Sequence, residues 1–128
     1  MTALPILLVE DNPTARFVTQ HHLAQRGCQV SLATNAKEAL GYLNSQSFSI
    51  ILMDIGLPDG DGLEISQAIR DDENCPNQKT PIIIVTAHSA ADIPTQTRQA
   101  LNIDHVFTKP LNPTHFDKII QYVNASSP

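Results

Sequence analysis

Basic residues are scarce in this chain. Eight Lys and Arg stand against 13 Asp and Glu in 128 residues, for a formal net charge of −5. A nucleic-acid surface needs clustered Lys and Arg to meet phosphates, so direct nucleic-acid binding is not expected. An acidic balance suits a soluble chain with a cation-attracting site. Cysteine is nearly missing: Cys28 and Cys75 lie far apart and make no CxxC pair. Free thiols in a reducing compartment are expected rather than a disulfide. Long hydrophobic runs are absent too. No apolar stretch approaches the roughly 18 residues of a membrane span. The start, Met1-Thr2-Ala3, lacks the basic residues of a signal peptide. A cytoplasmic location is expected, with no membrane contact in this segment. Repeats, linkers and low-complexity tracts are also missing, and only Ala125 to Pro128 reads as a loose tail.

What is present is ordinary for a globular chain, 41% apolar and 16% charged. The length suits one hydrophobic core. The expectation is one domain over residues 1–128, with its core at about 5–124 and nothing after it to build an output domain. Five short apolar runs recur: PILLVE at 5–10, CQVSLA at 28–33, FSIILMD at 48–54, PIIIVTA at 81–87 and HVFT at 105–108. The third and fourth are apolar without alternation, as parallel strands covered on both faces are. QVSL alternates, which suits an edge strand. Between the runs lie helical stretches near 13–26, 35–46, 61–73, roughly 91–101, and 113–125. Asn12-Pro13 and Asn112-Pro113 each read as an N-cap followed by Pro at the first helical position. Asn35 with Glu38, and Asp61 with Glu64, have the spacing of a capping box, and Gly27 suits a helix end. Strand–helix alternation predicts a parallel sheet with helices on both faces.

Chemistry gathers at the strand ends. A buried, unpaired carboxylate costs several kcal/mol or takes up a proton. Asp54, at the end of an apolar run, must therefore open to solvent or meet a cation. In an open sheet of order 2-1-3-4-5, ligands bind beyond the strand ends where the order reverses, between strands 1 and 3. Strand 1 delivers Glu10 and Asp11 there, and strand 3 delivers Asp54. Strand 4 ends in Thr86-Ala87 and strand 5 in Lys109-Pro110. Taken singly, such an Asp is a turn or cap residue, such a Lys is solvated, and such a Thr bonds its own backbone. Acid, acid, hydroxyl and amine on one rim form a joint pattern that those separate explanations do not produce. The five histidines form no metal set: His21 and His22 are adjacent and face different ways on one helix. His105 falls in strand 5 and His115 in helix 5; His88, two residues past Thr86, stands where it could overhang the crevice.

With LLVEDN, ILMDIGLPDGDG, PIIIVTA and FTKPL, the chain resembles the receiver domains of two-component response regulators, from Pro5 to about Tyr122. VEDN together with MDIGLPDGDG is most similar to receivers attached to hybrid sensor histidine kinases. The resemblance implies a flavodoxin-like, doubly wound (βα)5 fold. It implies that Asp54 accepts a phosphoryl group from a phosphohistidine in a Mg²⁺-dependent reaction. Asp11, Asp54 and the backbone carbonyl of Gly56 would hold Mg²⁺ directly, and Glu10 through a water. Thr86 would hydrogen-bond the phosphoryl group, Lys109 would pair with it, and Lys109-Pro110 would be a cis peptide. Such a chain is not a conventional enzyme; it catalyses its own phosphorylation and dephosphorylation. Its partners would be a sensor histidine kinase or a histidine phosphotransfer domain, and the unphosphorylated chain would be a monomer. The donor histidine must reach Asp54, so docking is expected around Thr14, Ala15, Val18, Pro58 and Leu111 on the rim of the crevice.

Other readings compete with this one. DGDGL at 59–63 nearly matches the DxDGT of another aspartyl-phosphate class, the haloacid-dehalogenase-like phosphatases. Here, however, Asp59 lies five residues past the strand end and Leu63 replaces the Thr. An EF-hand fails because Leu63 and Glu64 stand where the loop needs an acid or amide and then Gly. A degenerate receiver acting only as a protein-binding module is the remaining alternative. One departure from the family is Val106, three residues before Lys109, where many receivers carry an aromatic that swings on phosphorylation. Phe107 lies on the opposite strand face by alternation. A relay or phosphoryl sink is therefore expected more than a transcriptional switch.

Overall fold

The computed structural model describes residues 4–87 and 93–126, with side chains as far as Asn124. β1 (Leu4–Val9), β2 (Cys28–Ala33) and β3 (Ile50–Asp54) alternate with α1 (Pro13–Gln25) and α2 (Ala36–Ser45). A short antiparallel pair follows, β4 (Gly56–Leu57) with β5 (Gly60–Asp61), leading into α3 (Gly62–Asp71). Then come β6 (Ile82–Thr86), α4 (Thr95–Leu101), β7 (Ile103–Thr108) and α5 (Pro113–Ser126). The main sheet runs β2-β1-β3-β6-β7, with every pair parallel. Since β6 and β7 are its fourth and fifth strands, this is the 2-1-3-4-5 order of the flavodoxin-like fold. The β4–β5 hairpin was not expected from the sequence.

Burial explains the strand patterns. Every residue of β3 and β6 is buried because helices cover both faces. On one face Leu7, Val9, Ile51, Met53 and Ile84 pack against Ala39 and Leu43 of α2 and Ile65 and Ile69 of α3. On the other, Ile6, Leu8, Leu52 and Val85 pack against Leu23 of α1 and Phe116, Ile119 and Val123 of α5. A fully buried Leu, Ile or Phe contributes about 1.5–3 kcal/mol relative to exposure. A strand apolar on both faces does not set its own register. Here the polar strand ends help to set it. Val9 pairs with Met53, so Glu10 and Asp54 emerge together where the sheet stops.

Helix ends follow the expected caps, with two corrections. The side chains of Asn12, Asn35 and Asn112 accept from the amides of Ala15, Glu38 and His115, and Gly27 takes φ +85° after α1. Glu38, however, does not close a capping box on Asn35. Its carboxylate bonds the amide and hydroxyl of Thr34, both at 2.7 Å, one residue further back. Asp61 caps α3 through the Leu63 amide instead of the Glu64 amide. α3 stops at Asp71 because Asp72 turns extended and its side chain bonds the Asn74 amide, an Asx-turn that competes with the helix. α4 begins at Thr95, later than the expected start near 91; residues 88–92 lie outside the described part. Both cysteines are free and buried.

Candidate functional site

Four parallel strands end at one rim and set the site by register. Extending the Val9–Met53 pair by one residue puts Glu10 beside Asp54. Asp54 pairs with Val85, which leaves Thr86 one step further out. Thr86 pairs with Thr108, and the Lys109 amide donates to the Thr86 carbonyl at 2.7 Å, carrying the ladder past the end of β7. Lys109–Pro110 is a cis peptide. One oxygen from each of Glu10, Asp11 and Asp54 lies within 4.8 Å of the others. Lys109 Nζ sits 2.5 Å from Glu10 Oε1 and 3.0 Å from Asp54 Oδ2. Glu10, Asp54 and Thr86 are buried, whereas Asp11 is exposed. Gly56 is exposed in the short β4, opposite Asp61.

The charge balance is incomplete. Three carboxylates face one ammonium, and like charges this close repel one another. The Asp54 carboxyl is pushed up to about 6, chiefly by burial; Glu10 adds to the rise and Lys109 opposes it. Burial by itself would lower the Lys109 ammonium, but its bonds to Glu10 and Asp54 hold it above its ordinary value. The donor set is all oxygen and mostly carboxylate, which fits a hard divalent cation.

Several residues that the sequence reading passed over hold this arrangement in place. Glu10 is fixed twice over: its amide donates to the Ala33 carbonyl at 3.0 Å, and its Oε2 accepts from the Asn12 amide at 3.2 Å. Arg16 Nη1 donates to the carbonyls of Glu10 and Asp11 at 3.1 and 3.3 Å, pinning the turn that carries both acids. Gly62 passes so close to β3 that a Cβ there would overlap the Asp54 carbonyl oxygen and Met53 Cγ. The sequence signal for Gly62 was present, as the last glycine of DGDG. Nothing in the sequence marked Arg16, whose role depends on a bend of the chain.

Beside the acids, a groove of about 530 Å³ runs between α1 and the loop after β7. Thr14, Ala15, Val18 and Leu111 line it, along with Val85, Pro110 and Phe116. Pro58 does not line this groove; it is exposed in the turn of the β4–β5 hairpin. Val106 is buried on the α2–α3 face and Phe107 on the α1–α5 face, as strand alternation requires. His22 stacks on Phe116 with centroids 4.6 Å apart, and Arg26 lies over the same ring. His105 meets the Tyr122 hydroxyl at 3.1 Å. His22 and His105 are thus packing groups, His21 is exposed on α1, and His88 lies outside the described residues.

The sensor histidine kinase AruS of Pseudomonas aeruginosa is 34% identical over 128 residues, covering 100% of this chain and 13% of that protein. The chain therefore spans a small part of the kinase it matches. A receiver domain protein from Methanospirillum hungatei, described as CheY-like, superimposes with a TM-score of 0.84 at 25% identity, covering 97% of this chain and 96% of that one. The receiver domain of the sensor histidine kinase PA1611 from Pseudomonas aeruginosa, described with a magnesium ion coordinated in its active site cleft, gives 0.82 at 29% identity, covering 95% and 98%. The sequence model of the response regulator receiver domain matches residues 6–121. That span takes in the ends of all four strands that feed the acidic crevice, and on that ground the chain belongs to the response regulator receiver domain family.

Proposed function

We propose that this chain accepts a phosphoryl group from a phosphohistidine onto Asp54, as the acceptor of a two-component phosphorelay. One observation carries the reading: a buried carboxylate at the end of a fully buried strand, beside two further acids and 3.0 Å from a lysine amine. A carboxylate is a competent nucleophile for phosphoryl transfer. An Asp54 oxygen forms a bond to phosphorus while the phosphorus–nitrogen bond of the donor breaks, and its electron pair returns to the donor imidazole. Phosphoryl transfer asks mainly for positioning and charge neutralisation. Thr86 donates its hydroxyl to a phosphoryl oxygen, and Lys109 turns from Asp54 to pair with another. A Mg²⁺ ion held by Asp11, Asp54 and the Gly56 carbonyl, with Glu10 acting through a water, would neutralise the remaining phosphoryl charge.

The chain is not a conventional enzyme in this reading; it promotes chemistry on its own side chain, over a single receiver unit of about residues 5–124. Its partner is a sensor histidine kinase or a histidine phosphotransfer domain. The groove lined by Thr14, Ala15, Val18 and Leu111 supports docking beside Asp54; Pro58, exposed in the hairpin turn, remains a proposed contact outside that groove. Incubation with acetyl phosphate and Mg²⁺, followed by intact mass measurement, tests the reading. One phosphoryl adduct is expected, and it should vanish in Asp54→Asn. An adduct that persists in that variant would overturn the assignment.

A further inference from the structure

The β4–β5 hairpin carries Gly56, yet it is tied to a helix from a different part of the chain. The Asp59 carboxylate reaches α2 across more than 20 residues of sequence. Its Oδ1 accepts from the Ala36 amide at 2.6 Å and its Oδ2 from the Lys37 amide at 3.1 Å. The first four amides of any α-helix lack helical partners. In α2 the Glu38 amide is filled locally, by Asn35 Oδ1 at 2.8 Å, and the Ala39 amide makes the first helical bond, to the Asn35 carbonyl at 3.1 Å. The hairpin thus supplies the acceptors for the two amides before Glu38, those of Ala36 and Lys37. Gly60 packs against the same helix start; a Cβ there would stand 3.0 Å from Ala36 Cβ.

The connection continues around the crevice. Gly56 pairs with Asp61 across the hairpin, and the Gly62 amide donates to the Ile55 carbonyl at 2.8 Å. At the same end of α2, Glu38 holds Thr34, and the neighbouring Ala33 carbonyl accepts from the Glu10 amide. The hairpin that carries the Gly56 carbonyl and the strand end that carries Glu10 are thus braced against the same helix terminus. The two bonds hold the exposed Asp59 carboxyl below the usual carboxylate range, the Ala36 amide contributing most.

The geometry points to Asp59 as a positioning residue for the cation site: by clamping the hairpin to α2 it holds the Gly56 carbonyl in place before the cation arrives. This rests on the proposed Mg²⁺ chemistry. Ordering a loop at the moment of binding weakens binding, so a loop ordered beforehand favours it. The clamp does this without touching the ion.

The test separates a clamp from a mere helix cap. Asp59→Ala and Asn35→Ala each remove a cap from α2, and both should lower the urea midpoint. Only Asp59→Ala frees the hairpin. It should weaken Mg²⁺ binding by calorimetry about tenfold, the low end for loss of a residue that orients a metal ligand. In the metal-free protein it should also speed amide hydrogen exchange at Gly60. Asp59→Asn keeps one acceptor for the Ala36 amide and should recover part of the affinity. An unchanged affinity in Asp59→Ala overturns the proposal, as does an equal loss in Asn35→Ala. If the unmodified chain binds no Mg²⁺, the reading of the acidic crevice falls, and the clamp with it.

Discussion

At the scale of single residues, Asp54 is a charge held at a cost. Its carboxyl is pushed from 3.8 up to about 6 in the folded chain, mainly by burial. A raised acid binds its proton more tightly folded than unfolded. In metal-free solution, stability should therefore fall as pH rises from about 4 to about 6 and stay level above that. Asp54→Asn should remove this slope. It should make the metal-free chain more stable at pH 7 by on the order of 2 kcal/mol, with little gain below pH 4. Urea titrations of both proteins with chelator at several pH values check this; parallel profiles would show that burial does not penalise the charge. Gly62 carries the opposite kind of constraint. Helix propensity favours Ala over Gly by about 1 kcal/mol. The overlap of a Cβ with the Asp54 carbonyl reverses that sign, since overpacking costs about 1–3 kcal/mol. Gly62→Ala should thus be less stable and slower to react with acetyl phosphate, because the displaced backbone is that of Asp54.

At the scale of elements, one buried side chain joins a helix to two strands. Asn77 is fully buried, and its side-chain groups make four bonds. The amide nitrogen donates to the carbonyls of Leu43 and Gln46 at 2.8 and 2.6 Å; the oxygen accepts from the Phe48 amide at 2.9 Å and the Thr80 hydroxyl at 3.0 Å. It fastens the end of α2 to the starts of β3 and β6. Asn77→Ala leaves these partners buried and unpaired, and should cost about 2–4 kcal/mol by urea denaturation. Phosphorylation by acetyl phosphate should survive wherever the variant stays folded, because the staple lies at the strand starts, away from the crevice. α1 presents an open face instead. Its Val18 is 42% exposed on the groove beside the acids, too open to be a core residue. Val18→Glu should slow transfer from a phosphohistidine protein and leave acetyl phosphate chemistry intact. Equal slowing of both reactions would mark α1 as a packing face.

At the scale of the whole molecule, ligand linkage and conformational change are the measurable consequences. A cation that binds only the folded chain stabilises it by about 2.7 kcal/mol at a hundredfold excess over its Kd. For a chain of this size, that raises Tm by on the order of 10 °C. An unchanged Tm in saturating Mg²⁺ would count against the site. Val106 is buried on the α2–α3 face, at the position where the resemblance to receivers leads one to expect a swinging aromatic. A relay needs transfer in both directions more than it needs two conformations. NMR shifts on adding beryllofluoride with Mg²⁺ should therefore concentrate around Glu10, Asp11, Asp54, Thr86 and Lys109. Large shifts across α4 and β7, with dimerisation, would show a conformational switch instead.

Periodicity and punctuation in the sequence were enough to place five strands, five helices and the rim where the acids meet. The reason is that each signal is local: an Ile-rich run reads as a buried strand, Asn-Pro as a helix start, and a carboxylate after an apolar run as a strand end at the crevice. The resemblance in four short motifs then supplied roles that local patterns do not carry. Tertiary structure decided what depends on distant partners. Asp59 stood out in the sequence only as part of a near match to DxDGT, and only the approach of the hairpin to α2 makes it a cap for Ala36 and Lys37. Glu38 had the spacing of a capping box, and the path of the chain past Thr34 sent it elsewhere. Arg16 and Asn77 carried no sequence signal, because a backbone carbonyl accepts a hydrogen bond whatever its residue type. Their partners were chosen by the packing of the helices on the sheet.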